Sequence, residues 1–445
     1  MGYLPLIKNN TGFRRLWYGQ IVSELGDWLN SIAIYALILQ VSGSGMAVAA
    51  VMMAKLLPMV VVSPFAGVVV DRMNRKTVMI AADILRFFIV LGFLLVHERG
   101  DLWLLYTLVI LEVAMSGFFE PARSAIIPSL TAKKDLVTAN ALSGSTWSVM
   151  LAFGSALGGV LVSLLGIQAA FLVDSMTFLL SAWFIFRIPS PQESLRGETA
   201  KIPGQGGFRD MIDGFRYLLT EPIVLVLTLL KAGLGIAGGI MTLIPLYAHK
   251  LMSTPSAISM GIGLMYASRG LGAAVGPILV SRLFGDSSKV LQGAIFFSFF
   301  LQVLAYLLYS WSQSLWSACI SIGLATLFGS VIWVFSTSLI HMEAEKRFLG
   351  RVFSSEMALL TLVMGISNWA VGYSVDHFAL TPNAVSFWMA ILYVTPGVFW
   401  GAFLLFVRNR FKQGKPVGSV FPVDPSGFNP CFVPPADREQ PTSVK

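Results

Sequence analysis

Two carboxylates, Glu24 and Asp27, stand one helical turn apart in the stretch SELGDWLNSIAIYAL, and Ser31 and Tyr35 continue the same face at spacings of four. A third acid, Glu112, interrupts another apolar run, LEVAMSGFF. Withdrawn from water, neighbouring carboxylates repel one another and take up protons readily, which is what a proton carrier needs. A bare charge in the middle of a bilayer is costly enough that it normally faces a cavity or a partner. The expectation is that Asp27 couples a proton to another event, with Glu24 and Glu112 as helpers, and that Trp28, Ser31 and Tyr35 offer cavity surface to an amphiphilic molecule. The opposing possibility is that Glu24 and Asp27 are held by Arg or Lys and stay ionised throughout. Arg269, inside GLMYASRGLGAAVGP and far from both ends of its run, is expected in the same cavity. Lys55 and Lys231 are read as snorkelling or cavity cations. Asp83 and Arg86, at i and i+3, are read as a structural pair, Asp174 as structural, and Glu356 as a partner for the loop beside it.

The elements that position these groups are apolar helices. Of 445 residues 56% are apolar and only 12% are charged, about half the charged fraction usual in soluble domains, which excludes a soluble globule. Apolar runs broken by Gly, Pro and charge give twelve spans at about 15–40, 46–70, 77–96, 102–126, 140–165, 168–187, 221–248, 256–281, 290–310, 314–340, 352–375 and 384–407. With an inside amino terminus, 25 of the 31 Lys and Arg fall in inner segments, while outer loops hold only Arg99 and Lys250. Both termini are therefore expected in the cytoplasm, in a plasma (bacterial inner) membrane. The net charge of +8 sits in short gaps between apolar runs and not on a folded polar face, so nucleic acid is excluded as a partner. Two cysteines and four scattered histidines supply neither a disulfide framework nor a metal site, and no cofactor is expected. The amino terminus lacks a small-residue cleavage site, so the first span is read as retained.

A hydrophilic stretch, 188–222, divides the spans six and six. The expected organisation is an all-α polytopic membrane protein: a first six-helix bundle (1–187), a linker (188–220), a second bundle (221–411) and a disordered tail (412–445). Within the linker, FRDMIDGFRYLL alternates apolar and charged positions at helical spacing and predicts an interfacial helix. The halves echo each other, since IIPSLTAKKDLVTANALSGS stands in the first where LIHMEAEKRFLGRVFSSEM stands about 213 residues later.

Between spans two and three lies GVVVDRMNRK, Gly67 to Lys76. Here the sequence resembles the major facilitator superfamily, whose corresponding loop reads G-x-x-x-D-[RK]-x-G-R-[RK]. Gly67, Asp71, Arg72, Arg75 and Lys76 match; Asn74 replaces a glycine and would also tolerate a left-handed backbone. Further stretches resemble the drug and siderophore exporters related to macrolide efflux and enterobactin export proteins: LLPMVVVSPFAGVVVDR, FEPARSAIIPSL, ANALSGS, FLVDSMTFLLSA and GRVFSS. The resemblance implies two six-helix bundles rocking about a central site, with the loop gating the cycle: Asp71 facing the start of span eleven near Arg351, and Glu120 pairing with Arg75 or Arg72. Span four carries Glu112 without the arginine of R-x-x-x-G-x-G that many proton-coupled members have there.

These features point to a secondary transporter, not an enzyme: a monomer exporting a small amphiphilic molecule by proton antiport. A carrier of lysophospholipids or other lipids with the same fold is the alternative. No G-x-x-x-x-G-K-[ST] phosphate loop exists to draw on nucleotide. Gly233, Gly235 and Gly238 do satisfy G-x-G-x-x-G, but inside an apolar span with no preceding strand. Gly272 and Gly276 are read as close helix packing.

Overall fold

The computed structural model describes residues 3–189, 218, 221–285, 287–344 and 348–412. The expected interfacial helix in the linker and the tail beyond Lys412 lie outside the described residues. After a short helix, Tyr3–Asn9, come twelve helical spans long and apolar enough to cross a membrane. The first six are Thr11–Ser42, Gly45–Arg72, Arg75–Leu95, Arg99–Leu130, Leu136–Leu165 and Ile167–Phe186. The second six are Ile223–Leu251, Pro255–Phe284, Ser288–Ser310, Leu315–Glu343, Leu349–His377 and Pro382–Phe406. They coincide with the expected twelve, because a run of about twenty apolar residues has few alternatives in lipid: every backbone amide must be satisfied within its own helix.

Connections at one end are as short as two residues, and their residue types make that possible. Span one stops at Gly43, whose φ of 62° only glycine adopts freely, and its amide closes on the Leu39 carbonyl. Ser44 then caps span two by accepting from the Ala47 amide. Span seven is less regular than expected: Pro222–Leu234 and Ile240–Leu251 are joined by a 3-10 turn, Gly235–Gly239. These glycines, part of the apparent nucleotide motif, let span seven press on span eleven; a Cβ at Gly239 would stand 2.7 Å from Ser367 Oγ. Span twelve likewise breaks at Tyr393. Asn74 is extended, not left-handed, at φ −66° and ψ 118°, and caps span three by accepting from the Lys76 amide.

The spans form two six-helix bundles with repeated packing. Within the first half, one packs on five, two on four and three on six; within the second, seven packs on eleven, eight on ten and nine on twelve. The repeat extends to individual residues. Gln20 and Ser143 exchange hydrogen bonds between spans one and five. At the matching positions of the second half, Lys231 and Glu356 form an ion pair of 3.2 Å between spans seven and eleven. Glu356 is thus fully buried against span seven and is not a partner of the neighbouring loop. Lys231 also donates to Thr337 Oγ1 at 2.7 Å and lies 4.4 Å from the Trp333 ring centre. It is buried there and does not snorkel.

The halves meet through spans five with eight and two with eleven. Gly159 and Gly263 bring two backbones together: a Cβ on Gly263 would lie 2.7 Å from the Gly159 Cα. A Cβ on Gly270 would meet the Ala152 nitrogen at 2.6 Å. At the end whose loops hold Arg99 and Lys250, Asp376 of span eleven accepts from Ser44 Oγ, the Gly45 amide and the Met46 amide, at 2.5, 2.7 and 2.9 Å. An acid of one half therefore sits on the positive helix terminus of the other.

The buried Lys231–Glu356 pair sets a stability test. Glu356→Gln leaves an ammonium unpaired and is expected to cost about 3–5 kcal/mol, while Lys231→Met combined with Glu356→Gln regains most of it. Thermal unfolding of the detergent-solubilised protein measures both; equal losses in the single and double variants would show that the pair carries no net charge interaction.

Candidate functional site

A cavity of about 400 Å³ opens against the first half, lined by Glu24, Asp27, Trp28 and Ser31 of span one, Ser116, Glu120 and Arg123 of span four, and Ser143, Gly144 and Trp147 of span five. Its walls run from mid-span toward the ends rich in Lys and Arg, away from the end latched by Asp376. Three carboxylates, one guanidinium and two indoles make it both charged and amphiphilic.

Span one is held by its neighbours so that its acids face this space. Gly26 leaves no room for a side chain against Thr177 and Asp174 of span six. A Cβ on Gly158 of span five would come within 3.2 Å of the Leu29 Cα. Between these close approaches Asp27 is half-buried and pairs with Arg86 of span three. Arg86 also donates to Ser23 Oγ at 3.3 Å, stands 3.9 Å from Asp83 and lies 3.9 Å from the Phe178 ring centre. The expected Asp83–Arg86 pair is thereby corrected: helical spacing puts them on one face, but the guanidinium turns to the acid of span one. Glu24 is buried and accepts from Gln20 Nε2 at 2.8 Å. Glu112 is buried in the same half and accepts from Asn30 Nδ2 at 2.8 Å. Each keeps one carboxylate oxygen without a hydrogen-bond partner, as does Asp174, and Asp83 has neither oxygen hydrogen-bonded. Arg86 feels Asp27, Asp83, Glu112 and Asp174 together.

Among the expected cavity residues, Trp28 and Ser31 line the space; Tyr35 and Arg269 do not. Tyr35 stacks on Tyr266 of span eight at 5.5 Å, and Arg269 lies 5.8 Å from the same ring. Trp28 touches that ring too, at 5.9 Å. Lys55 donates to Ser31 Oγ at 2.7 Å and stands over Tyr35. Between span one and span eight the halves are thus closed by an aromatic cluster, which shuts the cavity off from the far end.

The loop residues are placed differently from expectation. Glu120 pairs with Arg123 on its own helix, at 2.5 Å, and not with Arg75 or Arg72; a partner three residues away needs no reach across a loop. Arg75 donates instead to the Ala125 carbonyl, and Lys76 to the Ile188 carbonyl, both at 2.8 Å. A Cβ at Gly67 would meet nothing within 4 Å, so the close approach expected of it is not made in this conformation. Arg72 is exposed, and Arg351 lies 5.7 Å from the Phe348 ring centre. The side chain of Asp71 lies outside the described residues.

Arg123, Ser143, Trp147 and Asp376 were not singled out by the sequence reading. Only Arg123 carried a local signal, its spacing of three from Glu120. Arg86 gives the test of this site. Arg86→Gln leaves Asp27 and Asp83 without their cation and is expected to destabilise by about 3 kcal/mol, the low end for a buried pair because Asp27 is partly solvated. Adding Asp27→Asn restores part of that loss in thermal unfolding; no restoration would sever the link between these two residues.

Comparison with known proteins agrees with this architecture. Residues 2–381 match the family described as transmembrane secretion effector. The MFS-type transporter YfiS of Bacillus subtilis is 30% identical over half of this chain, and the match spans 52% of that protein. The putative bacilysin exporter BacE of Bacillus amyloliquefaciens is 26% identical over 80% of this chain and 87% of its own. Macrolide efflux protein A of Streptococcus pyogenes is 24% identical over 85% and 94%. A mutant of the nucleoside transporter NupG superposes with a TM-score of 0.69 at 13% identity, over 88% of this chain and 99% of that one. An inward-facing bacterial homologue of the human lysosomal transporter Spinster gives 0.67 at 15%, over 87% and 95%. The chain belongs to the transmembrane secretion effector family of the major facilitator superfamily.

Proposed function

We propose that the protein exports a small amphiphilic molecule by proton antiport, and that its two bundles alternate access to the cavity. The observation that carries this reading is the composition of the cavity and what lies behind it. Glu24, Asp27 and Glu120 line it with Trp28 and Trp147, and Glu112, Asp83 and Asp174 stand buried beyond, with Arg86 and Lys55 as the neighbouring cations. Five of these acids, Glu24, Asp27, Asp83, Glu112 and Asp174, outnumber those two cations. In a low-dielectric interior they do not all ionise together, so protons are bound there at rest and can be exchanged. Asp27 is the group placed to do so, because it alone touches both the cavity and Arg86. A proton arriving at Asp27, or a cationic group of the substrate, competes with Arg86 for the same carboxylate, and that competition couples the two fluxes.

In this reading the described conformation faces the cytoplasm. The cavity extends toward the Lys- and Arg-rich ends of the spans, which the distribution of basic residues assigns to the inside, with both termini there. The opposite end is shut by Asp376 on span two, by the Gly159–Gly263 approach and by the Tyr35–Tyr266 stack. Opening outward requires parting these contacts and bringing the inner ends together, where Gly67, Asp71, Arg72, Arg75, Lys76 and Arg351 would act as the gate. The protein works as a monomer in the plasma membrane, with residues 1–187 and 221–411 as its moving parts. The relatives named for bacilysin and macrolide export support the outward direction.

The test uses proteoliposomes with ethidium and erythromycin as probes. An imposed pH gradient is expected to accelerate probe movement severalfold through the unaltered protein. In Asp27→Asn, exchange of probe across the membrane should persist while the gradient no longer accelerates it. A variant that still responds fully to the gradient would eliminate Asp27 as the coupling site.

A further inference from the structure

Four cations lie deep within the spans, and they divide into two kinds. Arg86 has Asp27 and Lys231 has Glu356 as ion-pair partners. Lys55 of span two and Arg269 of span eight have no carboxylate at ion-pair distance among the described residues. Each is half-buried, and each is stabilised instead by an aromatic face. Lys55 Nζ lies 5.4 Å from the Tyr35 ring centre and the Arg269 guanidinium 5.8 Å from that of Tyr266. The two rings stack on each other at 5.5 Å, so the cations flank one aromatic stack from opposite halves of the protein. Their fields overlap there, since both act on the Tyr266 hydroxyl. Asp27 and Glu112 act on Lys55 through space only.

An aromatic face compensates a cation weakly compared with a charged partner, and two such cations close together raise the electrostatic energy of the region until an anion enters. The path to them is short. Ser31 lines the cavity and accepts from Lys55, so a molecule filling the space between Trp28 and Trp147 ends at that hydroxyl. We propose that Lys55 and Arg269 form an anion subsite at the deep end of the cavity, which takes the carboxylate or phosphate group of an amphiphilic ligand. This deepens the transport reading above, from which it takes the cavity as the ligand's. A ligand anchored there lies with its anionic end at the junction of the two halves and any amine toward Glu24 and Glu120. The favoured ligand class is accordingly zwitterionic or anionic amphiphiles, in preference to simple lipophilic cations.

The subsite is tested by binding alone, without a proton gradient, so its outcome does not depend on antiport. The protein is placed in phosphatidylcholine nanodiscs and titrated calorimetrically with 2-naphthylalanine, its N-acetyl derivative and its methyl ester, which share one aromatic body. The two carboxylate-bearing forms are expected to bind about tenfold more tightly than the ester. Lys55→Gln and Arg269→Gln should each abolish that preference, and Arg269→Lys should retain part of it. If the anion comes from lipid, replacing phosphatidylcholine by phosphatidylglycerol raises the melting temperature of the unaltered protein but not of Arg269→Gln, and the naphthyl acids reverse that rise. Either pattern supports the subsite and identifies its source. Equal binding of acid and ester, or no binding of any form, together with no effect of phosphatidylglycerol, overturns it.

Discussion

A single guanidinium joins three helices in the first bundle. Arg86 reaches from span three to Asp27 and Ser23 of span one and rests on the Phe178 ring of span six, with Asp83 behind it on its own helix. In water such a cation would exchange partners freely; between apolar helices it cannot leave Asp27 without leaving two carboxylates uncompensated. The position of span one therefore follows from Arg86, and with it the orientation of Glu24, Asp27 and Ser31 toward the cavity. The same contact makes Asp27 the place where cavity contents and buried charge meet.

Polar contacts within the halves differ in kind from most contacts between them. Inside each half, spans one with five and seven with eleven are tied by directional bonds, Gln20 with Ser143 and Lys231 with Glu356. Between the halves, the long seams rest on glycines, Gly159 against Gly263 and Gly270 against Ala152, and on stacked tyrosines. Dispersion contacts between smooth surfaces change little when one helix tilts against another, whereas a buried ion pair has one good geometry. The bundles are in this way stiff units joined by a forgiving seam.

The twelve spans, the two halves and the Lys/Arg asymmetry were legible in the sequence because they depend on run length and residue class alone. The span-one acids were legible too, as charges in the wrong solvent. Their partners were not. Asp27 and Arg86 are 59 residues apart, and nothing in either segment names the other. Lys231 and Glu356 are further apart still, and only the internal repeat, by aligning them with Gln20 and Ser143, would have suggested the pair. The Glu120 partner was misassigned to the loop although Arg123, three residues on, was in plain view; a local partner wins because it gives up little side-chain freedom. The break in span seven could have been read from GLGIAGG, whose glycines lower helix propensity over a full turn.

The Asp376 contact has a consequence for how readily the closed end can release. Its acceptors are one hydroxyl and two backbone amides at the start of span two, so two of its three bonds do not depend on which side chains span two carries. Only residue 376 itself can tune them. The carboxylate and Met46 are also at the wet margin of the molecule. When the contact parts, water replaces each bond at once, so the net cost of separation is small although three bonds break. A clasp of this kind holds by alignment more than by strength, and it can be undone and remade on every passage without a large barrier at that end.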